Sequence, residues 1–297
     1  GARYGIAKAK TMQLDLFEDS RDVTLNNAAV KALSTHDLGA AALAIRALRD
    51  EFPRHHDLTT HEQLLEQLND FRRDLEPANL KSRHHQLIHG ILPFAERLLG
   101  SALVIVWARP LWADLARAAT PLGYDSDRPD IHSAPFWLAA GNPDQARSAV
   151  EKIPSWRRIP VPLAWMTEIE INHGPSEIWW PLLAELAWLA PERLSCLLLR
   201  EPAGVEHLRK QFLAAFENNG EYHDLVWFPA WLLIHQSELR ELLRRAQPAQ
   251  NEPARAFGLL LDLLHLEKTG RQADLIPQRA KLRALAPDIF ADYMRSR

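Results

Sequence analysis

Proline and glycine interrupt this chain at intervals about one helix long, and between the interruptions no strand-like alternation is found. The breakers are Pro53, Pro77, Pro121 with Gly123, Pro154, Gly174-Pro175, Pro191, Pro202, Gly220, Pro248 and Gly270. Proline cannot continue a helix, because it lacks the amide hydrogen and its ring meets the preceding turn, and glycine readily closes a helix end. The segments between are rich in Leu, Ala, Glu and Arg, all good helix formers. Candidate helices lie near 22–34, 37–51, 58–73, 80–99, 101–119, 131–140, 143–152, 161–173, 176–189, 192–199, 203–218, 223–234, 237–246, 252–268, 272–285 and 288–295. Only 12 glycines in 297 residues suit a chain with few strand-to-strand turns. Short connections between helices favour antiparallel hairpins. The expected fold class is therefore all-α.

Composition narrows the functional classes. Hydrophobic residues at 47% supply a substantial core, and a net charge of -3 argues against a protein that holds nucleic acid mainly by its phosphates. A single cysteine, Cys196, rules out a disulfide within one chain and reads as a small buried hydrophobe. The longest apolar run, Ser101 to Trp107, ends at Arg109-Pro110 and is too short to span a membrane. Residues Gly1 to Thr11 are basic and small, without the apolar stretch of a signal peptide. They read as a leader or upstream extension, with Met12 as the expected native start. The expected organisation is a leader and tail over 1–21, a helical body over 22–297, and a cytoplasmic location.

Three segments resemble one another. His36 to Pro53 and Gly270 to Pro287 are equal in length and both end in proline, and Gly141 to Pro154 stops about a turn early. Each resembles the second helix of a tetratricopeptide repeat. The small residue by which paired helices approach in that repeat falls on Ala41 and Ala146, with Leu275 as a departure. Leu25 and Ala29, Ala134 and Trp137, and Leu259 and Leu263 partly match the preceding helix. The resemblance covers about a third of the chain. It implies a degenerate, irregular array of stacked helix pairs and a protein-binding role.

One short motif is sharper. Gln13-Leu14-Asp15-Leu16-Phe17 follows Met12 directly. It resembles the pentapeptide by which many bacterial proteins grip the sliding clamp of the replicative DNA polymerase, and all five positions match. The resemblance implies that Gln13 enters a small polar pocket, that Leu16 and Phe17 anchor in an apolar cleft, and that Leu14 and Asp15 complete the contact. Asp15, Glu18 and Asp19 keep the segment soluble. The alternative is a tail packed on its own body, for which the alternation of Leu14 and Leu16 suits a short strand.

Rival sites are less specific. His55, His56 and His61 gather at one helix start, and His84, His85 and His89 on the next helix. His85 and His89 share a helix face, a spacing that can chelate zinc with a third ligand from His56 or Glu62. Gln86 stands where a metalloprotease would place its glutamate. Of ten tryptophans most suit a core, with Trp180 a candidate for a groove. Arg72-Arg73, Arg157-Arg158 and Arg244-Arg245 sit at helix ends, where positive charge suits the dipole. There is no phosphate loop, nucleophile elbow or Cys-x-x-Cys pair, and Glu168 and Glu170 fall on different helix faces. The expectation is a non-catalytic adaptor, bound to the clamp through its N-terminal peptide and linked to replication or repair. It needs no metal, no cofactor, no direct nucleic-acid contact and no membrane. The rivals are a helical-repeat scaffold unrelated to the clamp and a metal-dependent enzyme using the histidines from His55 to His89.

Overall fold

A computed structural model describes residues 21–200, 204–216 and 224–297. Among them there is no strand, and the chain is all-α as its sequence leads one to expect. Within the helical body the contacts gather into two compact units, Gly1–Asn142 and Pro143–Arg297.

The first unit holds α1 over 21–34, α2 Leu38–Glu51, α3 Leu58–Arg73, α4 Leu80–Gln86, α5 Leu92–Leu99, α6 Ser101–Trp107, α7 Arg109–Ala119 and α8 Ser133–Ala139. Arg21, at the start of α1, pairs with Glu51 at the end of α2, and Arg49 donates to Glu62 across the next turn at 2.7 Å. These pairs tie opposite ends of successive helices, so α1, α2 and α3 run antiparallel. The α1–α2 turn needs a left-handed residue, and that residue is His36, at φ 57°. Such a conformation costs a non-glycine residue about 1–3 kcal/mol unless its surroundings hold it. Trp107 does so. The His36 ring stacks on the indole at 4.5 Å, His36 Nε2 donates to the Trp107 carbonyl at 2.8 Å, and Trp107 Nε1 donates to the Leu33 carbonyl at 3.0 Å. Asp37 then caps α2, its Oδ1 accepting from the Ala40 amide.

Two expected helices of this unit are broken. The 80–99 segment passes through a π-helical turn, Leu87–Ile91, before α5. Pro93 lacks the hydrogen a regular helix would use there, and the wider turn absorbs the defect. Gly90 lies in that turn against α3, where an added Cβ would come 2.9 Å from Gln67 Oε1. The 101–119 segment splits at Ala108, because Pro110 opens α7.

The second unit holds α9 Pro143–Glu151, α10 Pro160–His173, α11 Ser176–Leu189, α12 Pro191–Leu198, α13 Glu206–Ala215, α14 Phe228–His235, α15 Arg240–Leu243, α16 Glu252–Thr269, α17 Gln272–Leu285 and α18 Pro287–Arg295. The centre is α11, every residue of which from Trp180 to Trp188 is buried. Its one buried charge, Glu185, accepts from Arg157 Nε at 2.5 Å, Arg157 Nη2 at 2.6 Å and the Gln247 amide at 2.6 Å. Glu170 on α10 is likewise buried, and Arg147 on α9 donates to it at 2.6 Å. A Cβ at Gly174 would fall 1.9 Å from Glu170 Oε2, so a larger residue there would displace that carboxylate.

The similar segments acquire similar ends. α2 and α17 are each 14 residues long and close on Phe52 and Ala286, whose amides donate to Leu48 and Leu282. Phe52 (φ -132°, ψ 67°) and Ala286 (φ -145°, ψ 79°) leave the helical region because a proline follows each. Ala190 before Pro191 behaves the same way. Ala41, Ala146 and Leu275 are all buried. Of the three expected pairs, α1/α2 and α16/α17 each lie within one unit, whereas the third falls on the division, α8 in the first unit and α9 in the second.

Buried histidines are confined, among the described residues, to the first unit. His61 and His132 are buried, and His36 and His84 are half-buried. Burial pushes the pKa of all four below the ordinary 6.5. His61 Nε2 bonds to Asn26 Oδ1 at 2.7 Å, and His84 lies between Trp112 and Phe136. His132 caps α8 through its unprotonated Nδ1, which accepts from the Ala134 amide at 3.2 Å.

Two outcomes follow for stability. Trp107→Ala should destabilise the protein by about 3–5 kcal/mol in urea unfolding, while Ile105→Ala, 65% exposed on the same helix, should change it by less than about 0.5 kcal/mol. The second outcome concerns pH. Unfolding frees the four histidines to take protons near pH 6.5, which the fold resists, so stability is complete above that value and falls as pH drops through it. Hydrogen exchange, corrected for its intrinsic rate, should show α1–α4 and α8 losing protection between about pH 7.5 and pH 5.5 while α11 keeps it. Equal protection of α1–α4 across that range would contradict the assignment.

Candidate functional site

The expected partner-binding residues Gln13, Leu14, Asp15, Leu16 and Phe17 lie outside the described residues, as does the expected 1–21 tail but for Arg21. What the structure does describe is the point where that peptide joins the fold. Only Glu18, Asp19 and Ser20 separate Phe17 from Arg21, the first described residue of α1. Three residues span at most about 11 Å. The start of α1 is held on several sides: Arg21 by Glu51, Asp22 by His55 with Oδ1 3.2 Å from Nε2, and Asn26 by His61.

The six early histidines do not form one centre. His85 and His89 are exposed, with their rings 4.4 Å apart on the last turn of α4 and the π-turn after it. Neither expected third ligand joins them as a metal group. Glu62 is engaged by Arg49, and His56 stacks on His55 at 4.5 Å. Among the described residues, one group of three potential ligands converges, and it is His55, His56 and Asp57. The His85/His89 chelate is thus replaced by a different set, at the α2–α3 turn. His84 turns inward, which removes it from either group.

The arginine pairs are structural or solvated. Arg157 is committed to Glu185, and Arg158 donates to the Pro248 carbonyl at 3.2 Å. A small cavity of about 300 Å³ lies beside them, lined by Trp156, Arg157, Glu170, Glu177, Ile178 and Arg245. Two of its charges, Arg157 and Glu170, are already paired, with Glu185 and Arg147. A larger groove of about 960 Å³ runs past Arg240, Arg244, His265, Lys268 and Arg297. Burial, then the nearby Arg297, lowers the Arg240 pKa. Its guanidinium donates to the Leu233 and Ile234 carbonyls, closing the end of α14. Glu267 at the same groove receives Tyr293, Arg279 and Arg297. Burial raises the Tyr293 pKa, keeping the phenol a donor to that carboxylate. These charges brace α14, α16 and α18.

Two expectations are corrected. Trp180 is buried in α11 rather than exposed in a groove, and its neighbour Trp179 is the more accessible ring. Cys196 is exposed, because Leu194, Leu197 and Leu198 define the inner face of α12 and Cys196 falls between them on the outer one. Glu168 and Glu170 diverge as expected, to Arg200 and Arg147. The adjacency His55-His56-Asp57 was readable in the sequence, whereas Asp22 was not, because it meets His55 only through the α1–α3 packing.

No family model matches the chain, and neither a curated protein nor a solved structure does.

Proposed function

We propose that this protein is a non-catalytic adaptor which docks on the DNA polymerase sliding clamp through Gln13–Phe17 and presents its helical body to a second protein during replication or repair. The observation that carries the reading is the pentapeptide itself, matched at all five positions and placed next to Met12. The connection to α1 supports it. With three residues between motif and helix, a grip on Leu16 and Phe17 would transmit directly to a helix start that is held by ion pairs and a hydrogen bond. We read α1/α2 and α16/α17 as degenerate tetratricopeptide-like pairs, on the strength of their equal second helices and matching proline-bounded ends. Such pairs usually bind other proteins. No helix among the described residues is long and apolar enough to cross a membrane, which agrees with a cytoplasmic place of action.

The test is a titration. A peptide spanning Met12 to Ser20 should bind a bacterial sliding clamp with about micromolar Kd, as expected of a short segment that buries little area. Replacing Leu16 and Phe17 together by alanine should weaken both the peptide and the full chain by at least tenfold, since apolar anchors carry most of the energy in such contacts. Absence of binding at several hundred micromolar peptide, or an unaffected double variant, rejects the clamp. It would leave the rival in which the tail packs on its own body.

A further inference from the structure

The α2–α3 turn brings together a set of groups that exceeds the needs of a turn. His55, His56 and Asp57 each offer a ligand atom, and these atoms lie within 4.8 Å of one another. Three consecutive residues would normally splay apart. Here the fold prevents it: His55 is drawn inward, its side chain only 5% exposed, while His56 stays outside at 82% with its ring stacked on that of His55. His56 Nε2 lies 3.1 Å from Asp57 Oδ2. Two ligands of one tetrahedral zinc, at bonds of about 2.0–2.1 Å, stand about 3.3–3.4 Å apart. The pair thus already approximates one edge of such a site.

The surroundings are those of a metal-bound histidine. Asp22 reaches His55 from α1, with Oδ1 3.2 Å from Nε2. That oxygen is shielded from solvent yet accepts no well-formed hydrogen bond. A carboxylate behind the far nitrogen fixes the ring and raises its basicity, the usual support of a ligating imidazole. The near nitrogen, Nδ1, accepts the Asp57 amide at 3.2 Å, a bond that an ion at this nitrogen replaces. One turn further on, His61 is fully buried and leaves its own Nδ1 without a partner, while its Nε2 serves Asn26. Burial disfavours its positive form.

We propose that His55, His56 and Asp57 bind a divalent transition-metal ion, zinc above all, with Asp22 as the positioning residue behind His55. Imidazole and carboxylate donors suit zinc, nickel and cobalt rather than calcium or magnesium. Three protein ligands leave at least one position for water. The exposed His56 ring must turn its edge toward the ion, which its surface position permits. The ion would fasten the α2–α3 turn, and through Asp22 the start of α1, where the N-terminal peptide leaves the fold. This inference is independent of the clamp reading, since neither set of residues enters the other's test.

The experiment uses the full chain, stripped with chelator and titrated with zinc by calorimetry near neutral pH, with cobalt as a visible-absorption probe. One zinc per chain should bind, and should raise the melting temperature. His56→Ala, a change at an exposed side chain, should abolish saturable binding without altering the metal-free melting temperature. Asp22→Asn should weaken binding about 10–100-fold. A His85→Ala/His89→Ala double variant should bind as the parent does. Failure to bind one zinc per chain, full retention of binding in His56→Ala, or its loss in the His85/His89 variant instead, each overturns the assignment.

Discussion

The second unit depends on how one carboxylate is neutralised. Glu185 sits in the middle of α11, flanked on every side by buried apolar residues from Trp180 to Trp188. An ionised carboxylate in such a place is tolerable only if paired and fully hydrogen-bonded. Three donors achieve this, two from the Arg157 guanidinium and one from the Gln247 amide. Each donor fixes a different part of the chain. Arg157 belongs to the turn before α10, Gln247 to the connection after α15. The carboxylate thus determines which segments may surround α11, something the apolar surface of that helix cannot do, because it is greasy all round and prefers no direction.

The first unit uses an aromatic ring for the same purpose. Trp107 meets the α1–α2 turn through a stacked ring, a carbonyl that accepts from His36 and an indole N–H that donates to Leu33. It holds His36 in a left-handed conformation that a histidine would not choose alone. The two devices differ in what disturbs them. The Glu185 cluster contains no histidine. The first unit, with neutral histidines at His36, His61, His84 and His132, is bound to solution pH near 6.5.

Helices were legible wherever the signal was local. The 58–73 and 272–285 segments match α3 and α17 residue for residue, because apolar spacing and proline or glycine at the ends are properties of neighbouring residues. Two of the errors cross a proline inside a long run, although Pro181 and Pro277 lie inside helices whose bounds are as expected. The 80–99 and 101–119 segments read as continuous helices across Pro93 and Pro110, and the chain instead uses a π-turn and a break. Burial was less legible than helicity. Trp180 and Cys196 each took the opposite side from the one expected, Cys196 because Leu194, Leu197 and Leu198 claim the buried face of α12. Sites built across helices were the least legible: His55 and Asp22 are 33 residues apart and meet only because α1, α2 and α3 fold against one another. The N-terminal pentapeptide is the reverse case, a signal carried wholly by adjacent residues.

Glu185 and the Gln247 amide are separated by 62 residues. A ribosome adds about 5–20 residues per second, so roughly 3–12 s pass between the two during synthesis. Throughout that interval α11 has its arginine but lacks its last donor. The first unit, by contrast, has all its own residues once Asn142 is made. A nascent chain of this protein therefore carries a buried-helix carboxylate without its full set of donors for several seconds, and the order of translation decides when that interval ends.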